Sequence, residues 1–377
     1  RPNDIITTNW YSSYYAVVGR ASLRNGGVID FTNSGEIHTL GTAVMLYAGG
    51  AESRLMQGGE DNDRMALTGD GGVITAVLSQ GSSIATKDEK AHGLVALANG
   101  GSAGGFSDDA TGSGGYRLNP ADGFDSGLPG LNFGWDLIAE SAPAGGEGGQ
   151  VGVTLQAGSA IKTIGKNAHG VVAESNGGVG ANGEDKTLVE DIFNIPKNFL
   201  SFTSAAELYS QSVRANGGSG GNGGDVTITQ EGGQVITEGE NAHAVVALSG
   251  SSGKSFVADA KMKDISGGDG GDGFGLFLAS GLSGSQGGNA GKVTVLQQSG
   301  LIETKGNYST GVLAVSKGGK GGAGGSANGL SISIPVNQSG TTVTFGLGTG
   351  GYGGPGGKGD DVDLTMEGNI ATSGLSS

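Results

Sequence analysis

Short runs of alternating apolar and polar residues recur along this chain. In Val226–Gln230, valine and isoleucine take one set of alternate positions and threonine takes the other, which is typical of a strand with one buried and one exposed face. Similar runs occupy Val151–Gln156, Val293–Gln297 and Val362–Met366. Only Thr187–Val213 has some helical character, so the pattern predicts an all-β fold.

A second strand is predicted around a recurring anchor, a β-branched residue followed two places later by threonine. The anchors and their threonines are Ile6 and Thr8, Ile37 and Thr39, Ile84 and Thr86, Ile161 and Thr163, Val235 and Thr237, Ile302 and Thr304, Ile370 and Thr372. Anchor and threonine share one face of a strand, so we expect both to point inward. Four residues after the anchor stands glycine or aspartate, which predicts a corner with positive φ. These corner residues are Gly41, Asp88, Gly165, Gly239, Gly306 and Gly374.

The third predicted strand is apolar on both faces. Its copies are His92–Ala98, His169–Ser175, His243–Ser249 and Thr310–Ser316. A strand apolar on both faces is covered on both faces. We expect the glycine-rich segment that leaves from its end to supply the outer cover. Three short strands per repeat predict the rungs of a parallel β-solenoid (β-helix).

The repeats differ in length. Subtraction of successive anchor positions gives 31, 47, 77, 74, 67 and 68 residues, whereas a compact rung needs only about 20–29. Each later rung therefore carries a long excursion. We divide the chain into residues 1–50, with two closely coupled rungs, and residues 51–377, with repeats at about 73–149, 150–224, 225–291, 292–359 and a truncated 360–377. We expect the whole to be a piece of a longer protein.

The excursions follow one plan: a glycine tract out, an apolar tip and a glycine tract back. The chain has 81 glycines in 377 residues, about three times the usual ~7%. Pairs of glycines at every third residue match the three-residue period of polyproline-II geometry. The tracts are predicted to pack antiparallel as a second layer of polyglycine-II-like helices, and flexible linkers are the alternative. One tip, Leu330–Phe345, alternates as a hairpin would.

Charge and composition exclude several functions. The formal net charge of −15 argues against nucleic acid and anionic membrane surfaces as partners. No apolar run reaches the ~18–20 residues of a membrane helix. Cysteine is absent, so no disulfide framework holds the fold.

The repeats carry a resemblance to a known family. The exits ANGG, ESNGG and SKGG, the GGxGGxGG tracts and the pattern I-x-T-x-G-x-x-(A/S)-x-G-V-x-A-x-S, seen in Glu231–Ser249 and Ser299–Gly325, resemble the glycine-rich passenger regions of bacterial autotransporters. These are type V secreted surface proteins. The likeness covers roughly Gly81–Ser377. It implies a parallel β-solenoid outside a Gram-negative cell, with the export signal and membrane anchor elsewhere in the parent protein.

Two groups of residues are candidate metal ligands. Gly267–Gly275 loosely fits a calcium-binding nonapeptide, with Asp269 and Asp272 as its carboxylates. Calcium requires six to eight oxygen ligands, and a chance match within a glycine tract is the competing interpretation. His92, His169 and His243 share one repeat position and predict a column with steps of about 4.8 Å. Because Thr310 continues the series, a structural corner residue is favoured over a metal ladder.

No catalytic or cofactor-binding residue is predicted. Gly-x-Ser-x-Gly occurs at Gly100–Gly104 and Gly217–Gly221, where glycine richness makes it uninformative. An acidic cluster in the first excursion could serve a polysaccharide-active enzyme, but a solvated acidic loop is the favoured interpretation; its members are Asp108, Asp109, Asp122, Asp125 and Asp136.

The expected function is that of a non-enzymatic cell-surface stalk, adhesin or fibre component. It would act by lateral or end-to-end self-association and by contact with host or matrix ligands, including glycans. The alternatives are a polysaccharide-active β-solenoid enzyme and a calcium-dependent surface-layer module.

Overall fold

The computed structural model describes residues 6–7, 15–22, 25–51, 68–103, 144–182, 216–250, 273–275, 278–280, 283–324, 327–329, 332–335, 342–345, 347–349 and 351–375. Within these ranges the chain forms strands and no helix. Three large sheets, of seven, six and six strands, contain only parallel neighbours. The predicted all-β parallel solenoid is therefore confirmed, whereas the helical character predicted for Thr187–Val213 falls outside the described residues.

Each turn of the solenoid contributes one strand to each sheet. Sheet A contains β1 (Ile6–Thr7), β4 (Glu36–Thr39), β7 (Ser83–Thr86), β10 (Ala160–Thr163), β13 (Gln234–Thr237), β18 (Leu301–Thr304) and β25 (Asn369–Thr372). Sheet B contains β2 (Tyr15–Ser22), β5 (Thr42–Gly49), β8 (Leu94–Asn99), β11 (Val171–Asn176), β14 (Val245–Ser249) and β19 (Val312–Ser316). Sheet C contains β3 (Ile29–Asn33), β6 (Ile74–Leu78), β9 (Val151–Leu155), β12 (Val226–Gln230), β17 (Val293–Gln297) and β24 (Val362–Met366). We number the rungs one to six from the sheet C strand that begins each.

Three smaller pairs lie in the excursions. β15 (Gly273–Gly275) pairs parallel with β20 (Ala327–Gly329). β16 (Leu278–Ser280) likewise pairs parallel with β23 (Leu347–Thr349). The predicted hairpin is confirmed, since β21 (Ile332–Pro335) and β22 (Thr342–Phe345) are antiparallel.

The sequence anchors stack in register. Ile84 pairs with Ile161, and Ile161 pairs with Val235, so spacings of 77 and 74 residues both equal one rung. The inward residues of all three sheets meet in one apolar core, in which Ile161 and Ile228 are 1% exposed. The repeats are held in register because a slip of one residue would turn this apolar set outward.

The sheet B strands of rungs two to four are buried on both faces, as the sequence predicted. Val171 and Ala173 join the main core, while Val172, Val246 and Leu248 form a second cluster on the outer side. The excursion tips predicted to cover this side lie largely outside the described residues. The strands themselves begin two residues later than predicted, at Leu94, Val171, Val245 and Val312 rather than at the histidine or threonine position.

The prediction of positive φ at the corner glycines is wrong. Gly165 and Gly239 do not adopt it; the left-handed residues come two places later, at Asn167 (φ 55°) and Asn241 (φ 53°). At Gly165, Gly239, Gly306 and Gly374, glycine is needed because the preceding rung passes too close for a side chain. A Cβ on Gly239 would overlap the carbonyl oxygen of Gly165.

The glycine tracts form a second hydrogen-bonded layer beside the solenoid. Out and return tracts interleave antiparallel: Gly218 and Gly221 donate to the carbonyls of Ala181 and Gly178. Donors three residues apart recur in the last excursion, residues 318–359, where Gly354 and Gly357 donate to the carbonyls of Gly322 and Gly319. The predicted antiparallel layer is confirmed in the described tracts, and these tracts are not free linkers.

Return tracts also bond to one another in parallel. Gly145 and Gly148 donate to Ser219 and Asn222, and the later tracts repeat this at every third residue; the further donors are Gly217, Gly220 and Gly223, then Gly284, Gly287 and Ala290. Successive residues of a three-residue period point about 120° apart. One N–H of each period therefore reaches a parallel neighbour and another reaches an antiparallel one.

Side chains satisfy the remaining N–H of the period. Asn222 Oδ1 accepts the N–H of Asn289 at 2.7 Å, and Asn289 Oδ1 accepts that of Lys358 at 2.9 Å. Earlier in the series, Asp70 and Glu147 accept in the same way from the tract that follows. This polar ladder explains why an asparagine or acidic residue interrupts the glycines at the edge of the layer.

Candidate functional site

The three repeat histidines stack at the entrance to sheet B. The ring centroids of His92 and His169 lie 5.0 Å apart at an interplanar angle of 12°. Those of His169 and His243 lie 5.0 Å apart at 2°. The predicted column, with one histidine per rung, is therefore present. Threonine occupies both ends, at Thr42 and Thr310.

Backbone amides fix the tautomer of the column. Nδ1 of His92 accepts the N–H of His169 at 3.1 Å, and Nδ1 of His169 accepts the N–H of His243 at 3.0 Å. The last ring accepts from Thr310 at 3.0 Å. An imidazole nitrogen that accepts a hydrogen bond is unprotonated, so each neutral ring carries its proton on Nε2.

Burial keeps these histidines neutral. It lowers the pKa of His92 to about 4. The pKa of His169 falls to about 2, first through burial and then through the like charge that His92 and His243 would carry. Burial also lowers the pKa of His243. Hydrogen-bonded, stacked and buried rings are typical of structural corner residues, and no cluster of metal-ligating side chains occurs within the described ranges.

The other candidate site residues lie either outside the described residues or in the glycine layer. Asp269 and Asp272, the candidate calcium ligands, lie outside the described residues, as do the acidic residues of the first excursion. The Gly-x-Ser-x-Gly segments belong to the glycine layer: Ser102 Oγ accepts the N–H of Val179 at 3.3 Å, and the Ser219 carbonyl accepts from Gly145. Neither serine stands on a strand-to-helix elbow.

The repeat threonines point inward and close the corner, as predicted. The hydroxyl of Thr163 donates to the carbonyl of Ala168 at 2.6 Å, and that of Thr237 donates to Ala242 at 2.5 Å. Both threonines are fully buried. The column thus ties the end of the sheet A strand to the start of the next element and is unavailable to an external ligand.

Serines at the end of sheet B join the solenoid to the glycine layer. The hydroxyl of Ser249 donates to the carbonyl of Gly224 at 2.7 Å and accepts the N–H of Gly291 at 2.8 Å. Gly224 precedes the rung of Ser249, and Gly291 precedes the next one. Ser175 makes the same pair of bonds one rung earlier. Each serine therefore closes its own rung and holds its successor.

Replacing Ser249 by alanine should separate the two layers locally. The change leaves the buried N–H of Gly291 and the half-buried carbonyl of Gly224 without the serine, which costs about 1–3 kcal/mol. Alanine itself fits this column, since Ala98 pairs with Ser175. We expect a lower urea midpoint and faster hydrogen exchange at the Gly291 amide. Ser79→Ala, on the outer side of sheet C, is the control; equal effects of both changes would contradict the serine bridge.

The outer side of sheet A is charged and cross-linked between rungs. Glu238 contacts Lys162 at 3.1 Å and Lys305 at 3.2 Å, and Lys166 contacts Glu240 at 3.1 Å. Hydrogen bonding to Lys162 is the largest of the effects that lower the pKa of Glu238. Exposed pairs of this kind contribute little stability, but they keep this side hydrated.

Comparisons with protein-family models, with curated proteins and with solved structures found no match to this chain. Among the described residues, no helix is long and apolar enough to cross a membrane. The site residues that sequence reasoning missed are the polar ladder and the serine bridges. Both had a signal, since a polar residue recurs at the third position of glycine tracts and a serine ends three of the sheet B strands.

Proposed function

We propose that this chain is a structural segment of a secreted protein on the surface of a Gram-negative cell. It serves as a stalk, an adhesin or a fibre component and acts by adhesion and self-association. The observation that supports this role is the uninterrupted axial stacking of the rungs. Rung four, for example, is bonded to rung five in all three sheets at once.

A solenoid of stacked rungs is suited to the role of a rigid spacer. The interfaces from rung one to rung five are each held by three ladders of backbone hydrogen bonds, with hydrogen bonds of the glycine layer beside them. Solenoid stability is a sum of repeat and neighbour terms, so length is gained without enlarging the core. Excursions of different lengths leave the rungs in register, since spacings of 77 and 74 residues each equal one rung.

The experiment compares intact cells that make the parent protein with a strain lacking its gene. An antibody raised against this chain should label intact cells before permeabilisation, while an internal marker stays unlabelled. Attachment to surfaces or cell aggregation should fall several-fold in the deletion strain. Labelling only after permeabilisation, or loss of polysaccharide degradation with attachment unchanged, would overturn the proposal; the second result would support an enzyme.

A further inference from the structure

The outer sides of the three sheets differ in their suitability for contact. That of sheet B is buried in rungs two to four, and that of sheet A carries ion pairs. The outer side of sheet C is exposed and has mostly small, uncharged side chains. We call it the sheet C face and describe it by four rows that run along the axis, one residue from each rung.

The rows follow the strand register. Row one is Val28, Val73, Gln150, Asp225, Lys292 and Asp361. Row two is Asp30, Thr75, Gly152, Thr227, Thr294 and Asp363. Row three is Thr32, Val77, Thr154, Thr229, Leu296 and Thr365. Row four is Ser34, Ser79, Gln156, Glu231, Gln298 and Glu367.

We propose that two copies of this chain associate side by side through their sheet C faces, with their solenoid axes antiparallel. This proposal rests on the self-association included in the proposed function and identifies its surface. In rungs two and three the four rows contain no ionisable side chain, although the chain as a whole has a net charge of −15. Two such acidic molecules approach each other at least cost where neither presents charge.

Exposed apolar side chains favour the same face. Val28 is 68% exposed and Val73 is 39% exposed, and they are neighbours in row one. The threonines of rows two and three add methyl groups over an otherwise flat sheet. At about 4.8 Å between strands and about 3.3 Å per residue, the face covers roughly 600 Å². An antiparallel pair centred on rung three overlaps over five of the six rungs and would bury about 1,000 Å², the least expected of a specific interface.

The charges that border the face select the antiparallel arrangement. In a parallel pair, row one of one copy faces row four of the other in the same rung. Asp225 would then oppose Glu231, and Asp361 would oppose Glu367. In an antiparallel pair centred on rung three, the charged rung four faces rung two instead. Asp225 then lies opposite Val73, and Thr154 lies opposite Thr154 of the second copy.

Sedimentation equilibrium of the purified 377-residue chain tests the proposal. We expect dimers that form at roughly micromolar concentration, as suits a small interface. Thr154→Lys should weaken dimerisation at least tenfold, because two lysines would meet at the centre. The matched control is Ala85→Lys on the outer side of sheet A, which adds the same charge and should leave dimerisation unchanged. Circular dichroism checks that both variants are folded.

A single cysteine tests the orientation independently. The chain has no cysteine, so Thr154→Cys introduces the only thiol. A bifunctional thiol cross-linker that spans about 10 Å, the usual separation of packed sheets, should link dimers of Thr154→Cys and not of Ala85→Cys. A monomer at every concentration, or equal loss with both lysine variants, would overturn the proposal. A different outcome would also overturn it: the unmodified chain binds an insoluble polysaccharide, and Thr154→Lys abolishes that binding but leaves dimerisation unchanged. These results concern the purified chain and are separate from its cellular location.

Discussion

Replacing Gly221 by alanine should lower the free energy of unfolding by about 1–3 kcal/mol, the usual cost of overpacking a close-packed interior. The added Cβ would overlap the carbonyl oxygen of Gly146 in the neighbouring tract. That oxygen belongs to backbone, and Gly146 accepts the N–H of Gly178, so it cannot swing aside as a side chain would. Urea unfolding followed by circular dichroism measures the loss. Hydrogen exchange at the Gly178 amide shows whether the damage begins in the glycine layer.

Two controls separate the lost space from the general effect of removing a glycine. Gly152→Ala lies in sheet C, where the nearest atom to a new Cβ is the Ile74 carbonyl oxygen at 3.9 Å. That change should be neutral or stabilising by up to about 1 kcal/mol, because alanine restricts the unfolded chain. Within one tract, Gly357→Ala should be harmful and Gly356→Ala mild, since a Cβ on Gly356 meets only the Gly319 carbonyl oxygen at 3.4 Å. Equal effects within this pair would mean that the tracts are not packed.

Acid should destabilise the protein through the histidine column. The folded-state pKa values lie below the ordinary value of 6.5, at about 4 for His92 and about 2 for His169. The unfolded chain therefore takes up protons first as the pH falls. The stability is fully present above pH 6.5 and declines as the pH falls toward 4. His92 and His169 each contribute up to about 1.4 kcal/mol per pH unit in that window. Denaturant unfolding at pH 7, 6, 5 and 4 measures the slope.

The column supplies its own control. Threonine occupies the same position at Thr42, and its Oγ1 accepts the N–H of His92 at 3.2 Å. His169→Thr therefore retains an acceptor and removes the titrating group. Between pH 6.5 and 4, the free energy of unfolding of this variant should depend less steeply on pH. We expect its slope to be smaller than that of the unmodified chain by about 1.4 kcal/mol per pH unit. An unchanged slope would show that carboxylates, and not this column, control the acid response.

The rungs could be predicted from sequence because the same types of side chain recur at the same positions of each repeat. The anchor isoleucines and the threonines two residues later share one strand face, so their burial followed from strand geometry alone. The distance between successive histidine rings followed from the assumption that each repeat forms one rung. The corner glycines were located correctly for the wrong reason, since Gly165 is required by an approaching carbonyl of the neighbouring rung and not by its own φ. Such a requirement lies in another repeat and leaves no local signal.

The polar ladder and the sheet C face could not be read from one repeat. Asn222 looks like a loop residue until the tract beside it is in place, because its partner is the amide of Asn289, 67 residues away. The uncharged part of the sheet C face, in rungs two and three, is likewise a property of neighbouring rungs, and no single strand shows it. The strand register places residues that are distant in sequence beside one another along the axis, and the hydrogen bonds and the exposed surface depend on those neighbours.

The serine that closes rung three or rung four and holds the rung after it also makes these repeats interchangeable in evolution. Ser175 and Ser249 present the same two bonds to whichever rung follows. Val153, Ile228 and Val295 occupy equivalent places in successive rungs. Recombination between such repeats in the gene would remove or duplicate whole rungs and keep each joint intact. A lineage could thus change the reach of the protein in steps, without designing a new junction each time.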